Sequence, residues 1–245
     1  MPSGSGKTTT LYSSLVDLNN DEVNISTVED PVEYSLSGVN QVKVHEDIGL
    51  TFASCMRSFL RQDPDIILIG EIRDYETAEI AVKAALTGHL VLSTLHTNDS
   101  ASTIARLLNI GIEPFLVTSS LNAIVAQRLI RVICDDCKKE LEVLPQTLID
   151  LEVPAEEVDG FTVYGGEGCD KCSGTGYKGR AAIYEVMFLS DTLKEFILNG
   201  ATTAEIKREA IQQGMKTLRQ SALEKLKLGV TTIEEVIKIS ASDSN

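Results

Sequence analysis

Several kinds of residue are scarce in this 245-residue sequence. There is no tryptophan, and only 5% of the residues are aromatic, which leaves few rings for stacking on nucleic-acid bases. Positive charge is also scarce: 22 Lys and Arg face 36 Asp and Glu, for a net charge of −14. Phosphate backbones attract basic surfaces, so this balance argues against nucleic acid as the main partner.

Long apolar runs are missing as well. None approaches the roughly 18 residues that a membrane-spanning helix needs, and the sequence shows no signal peptide. We therefore expect a cytoplasmic chain without direct membrane insertion, linked to any membrane through a partner or a missing segment.

Cysteine is limited to five residues. Cys55 stands alone within a predicted helix, and we assign it no function. The other four form two C-x-x-C pairs, which suit a metal in a reducing compartment better than a disulfide framework. Four thiolates from two separate turns predict a closed, structural Zn²⁺ site; the alternative is reduced cysteines that fill core space. The predicted ligands are Cys134, Cys137, Cys169 and Cys172.

The hydrophobic pattern of the first half predicts an α/β fold. Short apolar runs typical of buried strands occur at NISTV, DIILIG and HLVLSTL, and helical patterns lie between them. Such alternation indicates βαβ units with a parallel sheet covered on both faces. We expect two further helices, over DSASTIARLLNIG and over FLVTSSLNAIVAQRLIRVI, and four short amphipathic helices near the C-terminus.

A change in composition and sequence pattern at the first cysteine pair predicts the domain organisation. Residues 1–133 are expected to form a nucleotide-binding α/β core. Residues 134–180 would form the zinc-binding region, and residues 181–245 a helical C-terminal region.

The sequence opens on MPSGSGKT, which matches the phosphate-loop pattern G-x-x-x-x-G-K-[ST] except that Met1 replaces the first glycine. In such a loop, backbone N–H groups approach phosphate and the next helix directs its positive end at the same anion. Lys7 would reach the β- and γ-phosphates, and the Thr8 hydroxyl would bind Mg²⁺. We expect Met1 to weaken nucleotide binding, since a positive φ is costly for Met. The predicted nucleotide-binding residues are Ser3, Gly4, Ser5, Gly6, Lys7, Thr8, Thr9 and Asp30.

Acidic side chains follow two of the predicted strands. Glu71 comes directly after IILIG, where the strand would exit toward the phosphates. The alternative makes Glu71 and Asp74 capping acids of the next helix. In EDPVEY, Glu29, Asp30 and Glu33 cluster as though around Mg²⁺ and a water nucleophile, although a solvated acidic loop would also explain them.

Two of the three histidines bracket the run HLVLSTL. His96 lies beyond the strand end and is the better candidate for sensing a γ-phosphate. A histidine at a strand end can equally be structural, so spacing alone leaves both interpretations open.

Four segments, PSGSGKTTTLY, TVEDPVEY, LRQDPDIILIGEIRD and GHLVLSTLHTND, closely resemble the secretion ATPases of type II secretion and type IV pilus systems, in order and spacing. In that family they are the Walker A, Asp box, Walker B and His box motifs. The resemblance implies that residues 1–133 form a RecA-like core, truncated at its phosphate loop. It also implies ATP and Mg²⁺ as ligands and ATP hydrolysis as the activity. It implies a catalytic set of Glu71, Glu33, Glu29, His96 and His89.

The resemblance also implies a homo-hexamer on the cytoplasmic side of the inner membrane, where an inner-membrane platform protein is the partner. The tetracysteine element is common in assembly ATPases of both systems and missing from pilus-retraction ATPases. Arg57, Arg61 and Arg73 stand near the acidic motifs, but none is singled out as acting in trans. We expect a fragment that lacks an N-terminal domain. The alternatives are a DNA-translocating or conjugation ATPase and an inactive remnant that serves as a docking module.

Overall fold

The computed structural model describes residues 4–242, and side chains as far as residue 239. Its contacts divide the chain into two compact units. The sheet unit comprises Lys7–Ile124 and Met187–Ala210. The cysteine unit comprises residues 4–6, Val125–Val186 and residues 211–242. The three domains predicted from composition do not coincide with these units and remain a proposal.

Helices and strands alternate in the first half of the chain. The helices are α1 (Lys7–Leu18), α2 (Phe52–Phe59), α3 (Tyr75–Leu86), α4 (Ser100–Ile110), α5 (Pro114–Ser120), α6 (Pro145–Asp150), α7 (Ala155–Val158), α8 (Asp191–Leu198), α9 (Thr203–Gln212), α10 (Leu218–Lys227) and α11 (Ile233–Ser242). The strands are β1 (Ile25–Glu29), β2 (Val39–Lys43), β3 (Ile66–Ile69), β4 (Leu90–Ser93), β5 (Ala123–Ile133), β6 (Lys138–Leu141), β7 (Val163–Gly166) and β8 (Tyr177–Phe188).

The sheet unit is built on a parallel sheet with the strand order β2-β1-β3-β4. Every residue of β1 and β3 is buried, as the continuous apolar runs predict for central parallel strands. Leu15 of α1 packs with Ile25, Ile66 and Leu68 of these strands. The predicted α/β fold class with a parallel sheet is thus confirmed.

Two predictions about local structure are wrong. HLVLSTL was expected to be fully buried, but β4 pairs with β3 alone among the described strands, and Leu90 is 41% exposed. The expected helix over FLVTSSLNAIVAQRLIRVI ends at Ser120, and the rest forms the long strand β5. β5 buries residues on one face, among them Ile124, Ala126 and Ile130, as a strand does. Its pairing with β8 favours the strand over the expected helix.

The cysteine unit has two small sheets and its own core. β5 pairs with β8, and β6 pairs antiparallel with β7. Ile130 and Ile183 from the strands pack with Leu226 of α10 and Val236 of α11. The four predicted C-terminal helices are present as α8–α11. Within residues 4–242, none of the helices has the length and apolar character needed to cross a membrane.

Candidate functional site

The carboxyl ends of three neighbouring strands meet at one edge of the parallel sheet. Val28 of β1 lies level with Ile69 of β3, and Ile69 lies level with Ser93 of β4. The residues that follow are therefore brought to the same edge, which is where open α/β sheets bind ligands. The predicted residues Glu29, Asp30, Glu71 and His96 all lie at or just beyond these strand ends.

Glu71 lies at the centre of this edge. One carboxylate oxygen pairs with the Arg73 guanidinium, and the other lies 3.0 Å from Nε2 of His96. The Glu71 side chain is only 13% exposed. Burial alone would raise the pKa of Glu71, but the hydrogen bonds and charges of Arg73 and His96 outweigh it and lower that pKa. Glu71 is thus held ionised near neutral pH, with a fixed orientation.

Backbone contacts explain why Glu71 follows a glycine. Gly70 donates its N–H to Val28 O at 2.8 Å, and a β-carbon on Gly70 would lie 3.3 Å from the backbone of β1. Thr94 Oγ1 donates to Gly70 O at 2.7 Å, and the Ile72 N–H donates to Thr94 O at 3.0 Å. The turn that carries Glu71 is therefore hydrogen-bonded to β1 on one side and to the residue after β4 on the other.

Glu29 is a buried carboxylate rather than a solvent-facing one. It is 4% exposed, and one of its oxygens accepts from Thr27 Oγ1 at 2.6 Å and from Gln41 Nε2 at 3.2 Å. Its other oxygen accepts from the hydroxyl of Tyr12 on α1. Burial, followed by the hydrogen bond to Glu29, raises the pKa of Tyr12 to about 12. The sequence interpretation missed Tyr12 and Gln41; the signal available was a tyrosine among the apolar positions of α1.

The two other predicted acids near β1 are exposed. Asp30 is close enough to raise the pKa of Arg73 by its charge, although the hydrogen bond to Glu71 is the larger cause. Glu33 is tied through its backbone, whose N–H donates to the Tyr12 hydroxyl at 3.2 Å. Arg73 is therefore paired with Glu71 and also lies within range of the charge of Asp30.

The direction of α1 follows from two contacts. Tyr12 bonds to Glu29 at the end of β1, whereas Leu15 packs with Ile25 at its beginning. The helix therefore runs antiparallel to β1, and its N-terminus, with Lys7 and Thr8, points to the carboxyl edge of the sheet. An anion at that edge would meet the positive end of α1.

The described part of the predicted phosphate loop has the backbone that the motif requires. Gly4 and Gly6 adopt φ values of +105° and +80°. A β-carbon on Gly6 would lie 2.9 Å from Nε2 of Gln127, so only glycine fits there without displacement. Ser5 is buried, and Thr9 lies in the exposed first turn of α1. Met1 and the predicted nucleotide ligand Ser3 lie outside the described residues.

His89 is not brought to this edge. It precedes Leu90 at the opposite end of β4, and its Nδ1 lies 2.9 Å from Ala84 O and 3.1 Å from Thr87 Oγ1. These contacts join His89 to the C-terminus of α3. Only His96 of the two predicted histidines lies beside Glu71.

The remaining charged residues near the motifs have local partners. Asp74 caps α3 by accepting from the Thr77 N–H at 2.9 Å, so the capping interpretation is correct for Asp74 and does not describe Glu71. Arg57 pairs with Glu76, and Arg61 Nη1 donates to Arg57 O at 2.8 Å.

The four cysteines of the two C-x-x-C pairs form one cluster in the cysteine unit. Pairing of Lys138 with Gly166 in the β6–β7 ladder sets the turn before β6 beside the turn after β7. The four Sγ atoms all lie within 4.8 Å of one another. Individual Sγ–Sγ distances are 3.9 Å for Cys134–Cys169, 3.8 Å for Cys137–Cys172 and 3.7 Å for Cys169–Cys172.

These separations fit a tetrahedral metal site. Four Zn–S bonds of about 2.3 Å imply sulfur–sulfur distances of about 3.8 Å in a regular tetrahedron. The backbone N–H groups of Cys169 and Gly176 donate to Cys172 Sγ at 3.1 and 3.2 Å. These bonds, the Cys169 N–H first, lower the pKa of Cys172 to about 6, which favours the thiolate that a metal binds. Burial raises the pKa of Cys134 and raises that of Cys137 to about 12, so a metal would have to displace the protons of these two thiols. The cluster could therefore hold zinc with no further ligand.

Residues 2–238 match the model of a family described as "Type II/IV secretion system protein". The chain belongs to this family. The resemblance inferred from the four motifs is thereby confirmed.

Two relatives match this chain along nearly its whole length. The chain is 62% identical over 243 residues to the "Type IV pilus assembly ATPase PilB" of Myxococcus xanthus (strain DK1622), which covers 99% of this chain and 43% of that protein. It is 46% identical over 242 residues to the "Type II secretion system protein E" of Dickeya dadantii (strain 3937), covering 99% of this chain and 48% of that protein. The chain thus spans less than half the length of these relatives.

Two solved structures share the fold. The pilus retraction motor PilT, solved with bound ADP, superposes with a TM-score of 0.70 at 29% identity, over 97% of this chain and 59% of that one. The ATPase DotB of Legionella pneumophila gives a TM-score of 0.69 at 23% identity, over 98% of this chain and 58% of that one, which speaks to the fold alone.

Proposed function

We propose that this chain is the ATP-hydrolysing part of a motor that powers type IV pilus assembly or type II protein secretion. The observation behind this proposal is the joining of Glu71 to His96 and Arg73 at the carboxyl edge of the sheet, in a chain 62% identical to a pilus assembly ATPase. The ADP bound to the related motor PilT supports an adenine nucleotide as the ligand.

The residues at this edge suit Mg²⁺-ATP. Lys7 and Thr8 begin α1, where Lys7 would neutralise phosphate charge and Thr8 would offer a hydroxyl to Mg²⁺. Bound Mg²⁺ would neutralise charge that develops on the transferred phosphoryl group. The ionised Glu71 carboxylate can orient and accept a proton from an attacking water, and His96 Nε2 holds that carboxylate in place. Asp30 and Glu33 are exposed carboxylates that could complete the metal's surroundings.

The tetracysteine cluster fits a resident Zn²⁺ with a structural role. Bound to Cys134, Cys137, Cys169 and Cys172, the ion would cross-link the turn before β6 to the turn after β7. With four thiolates around it no position stays open for substrate, which favours folding over catalysis as its contribution.

Pilus assembly is the system we favour between the two. The chain is 62% identical to the pilus assembly ATPase of Myxococcus xanthus and 50% identical to that of Thermus thermophilus. Its identity to the type II secretion protein of Dickeya dadantii is 46%. A homo-hexamer, an inner-membrane platform protein as partner and a cytoplasmic location at that membrane are further parts of this proposal. They rest on the family resemblance.

Nucleotide binding tests the proposal most directly. A fluorescent ATP analogue with Mg²⁺ should bind saturably to the chain and to the control Lys178→Ala, which removes an exposed lysine of the cysteine unit. Lys7→Ala should abolish that binding, whereas Glu71→Gln should bind nucleotide but not hydrolyse it. Lack of binding by the unchanged chain would contradict the proposal and favour a docking module, and salt-dependent DNA binding would favour a DNA-translocating motor.

A further inference from the structure

The hydroxyl of Tyr12 joins α1 to Glu29, the last residue of β1, and to Glu33, the last residue of the acidic loop Asp30–Glu33. We propose that Tyr12 is a positioning residue that fixes this loop for ATP hydrolysis, with the buried Glu29 as its anchor. The proposal rests on the proposed function and assigns to Glu29 the fixing of the loop instead of contact with nucleotide.

Two hydrogen bonds through the Tyr12 hydroxyl connect the Glu29 carboxylate to the backbone of Glu33. The Tyr12 O–H donates to Oε2 of Glu29. The hydroxyl oxygen of Tyr12 in turn accepts from the backbone N–H of Glu33 at 3.2 Å and from Gln41 Nε2 at 3.3 Å. Tyr12 is 1% exposed and Glu29 is 4% exposed. In this low-dielectric setting a hydrogen bond to a carboxylate is strong and orients its donor closely.

Glu29 is well suited to be an anchor. Its Oε1 already accepts from Thr27 of its own strand and from Gln41 of β2. The carboxylate is therefore fixed to the sheet by two strands, and Tyr12 transmits that position to the backbone of Glu33. Loss of the Tyr12 hydroxyl would leave Glu29 in place but remove the acceptor that holds the Glu33 N–H.

The same helix begins with the residues proposed to bind phosphate. Tyr12 lies five residues after Lys7, a rise of about 7.5 Å along α1. Because a hydrogen-bonded helix is stiff over this distance, the Tyr12 contact sets the spacing between the N-terminus of α1 and the acidic loop. Tyr12 thus links the two parts of the proposed Mg²⁺-ATP site, the N-terminus of α1 and the acidic loop.

Tyr12→Phe tests this role because it keeps the ring and removes only the hydroxyl. The control is Tyr34→Phe: Tyr34 meets Tyr12 edge to face, with ring centroids 4.6 Å apart, and its hydroxyl has no hydrogen bond among the described residues. Circular dichroism should show both variants folded. We expect Tyr12→Phe to lower kcat for Mg²⁺-ATP about 10-fold or more with little change in KM, while Tyr34→Phe leaves both unchanged.

Amide hydrogen exchange supplies a readout independent of turnover. The Glu33 amide should be protected in the unchanged chain and exchange about 10-fold faster in Tyr12→Phe, because its acceptor is gone. An unprotected Glu33 amide in the unchanged chain, or equal exchange in the two proteins, would overturn the positioning contact. Unchanged kcat in Tyr12→Phe would overturn the role in hydrolysis alone, whereas no hydrolysis by the unchanged chain would overturn the proposed function and this inference together.

Discussion

Glu235 should make the stability of the cysteine unit depend on pH. Its carboxylate accepts from the Arg131 N–H at 2.9 Å and from Arg131 Nε at 3.0 Å, and Lys238 Nζ lies 2.8 Å away. The Arg131 guanidinium also lies 3.8 Å from the ring centroid of Tyr177. Burial alone would raise the pKa of Glu235, but these donors, Arg131 first, lower it to about 2. Glu235→Gln removes the charge and keeps the shape.

The magnitude follows from that pKa. Lowering it from 4.5 to about 2 corresponds to about 3 kcal/mol of stability, at about 1.4 kcal/mol for each pH unit. The side chains of Arg131 and Lys238 are 41% and 62% exposed, so solvent screens part of this interaction. We therefore expect Glu235→Gln to lower the free energy of unfolding by about 2 kcal/mol at pH 7.

The pH dependence gives the sharper test. Because the folded-state pKa is depressed, the stabilisation is complete above the unfolded-state value near 4.5 and is lost as the pH falls toward 2. Urea unfolding followed by circular dichroism, which suits a chain without tryptophan, should show a constant gap between the two proteins above about pH 5.5 that shrinks below pH 4.5. Glu142→Gln, at an exposed carboxylate of the same unit, is the control. A gap that persists unchanged at pH 3.5 would refute the electrostatic reasoning.

Three further variants address other contacts. Gly70→Ala should destabilise the sheet unit by about 1 kcal/mol in thermal unfolding, since its β-carbon would lie 3.3 Å from the backbone of β1; Gly160→Ala, with open space around it, should not. Cys172→Ser should abolish the zinc content measured by atomic emission and lower the midpoint of unfolding, whereas Cys55→Ser should retain the metal. Asp99→Ala should cost about 1–2 kcal/mol, because Asp99 caps α4 through the Ser102 N–H and pairs with Lys207 at 2.8 Å; an unchanged urea midpoint would contradict this.

The features that depend on local periodicity were the ones best predicted from the sequence. Fully buried β3 and the capped helix α3 follow from a continuous apolar run and from Asp74 at a helix start. The convergence of Glu71 and His96 was also predictable, since carboxyl ends of parallel strands meet at one edge. The four thiols could be grouped by spacing alone.

Features that depend on distant pairing were not predictable in this way. β5 is apolar enough for a helix, and only its pairing with β8 selects the extended form. Glu29 looked like one acid among three, because nothing in EDPVEY indicates that Tyr12 and Gln41 fill its oxygens. His89 was grouped with His96 by motif, although the length of β4 separates them.

The interleaving of the two units has a consequence for synthesis on the ribosome. The sheet unit draws on Lys7–Ile124 and again on Met187–Ala210, while the segment between them belongs to the cysteine unit. Neither unit is one continuous stretch of chain, so the sheet unit stays incomplete until residue 210 has left the exit tunnel. A nascent chain halted near residue 186 would lack Met187–Ala210 and would expose the surface of the sheet unit that this segment later covers.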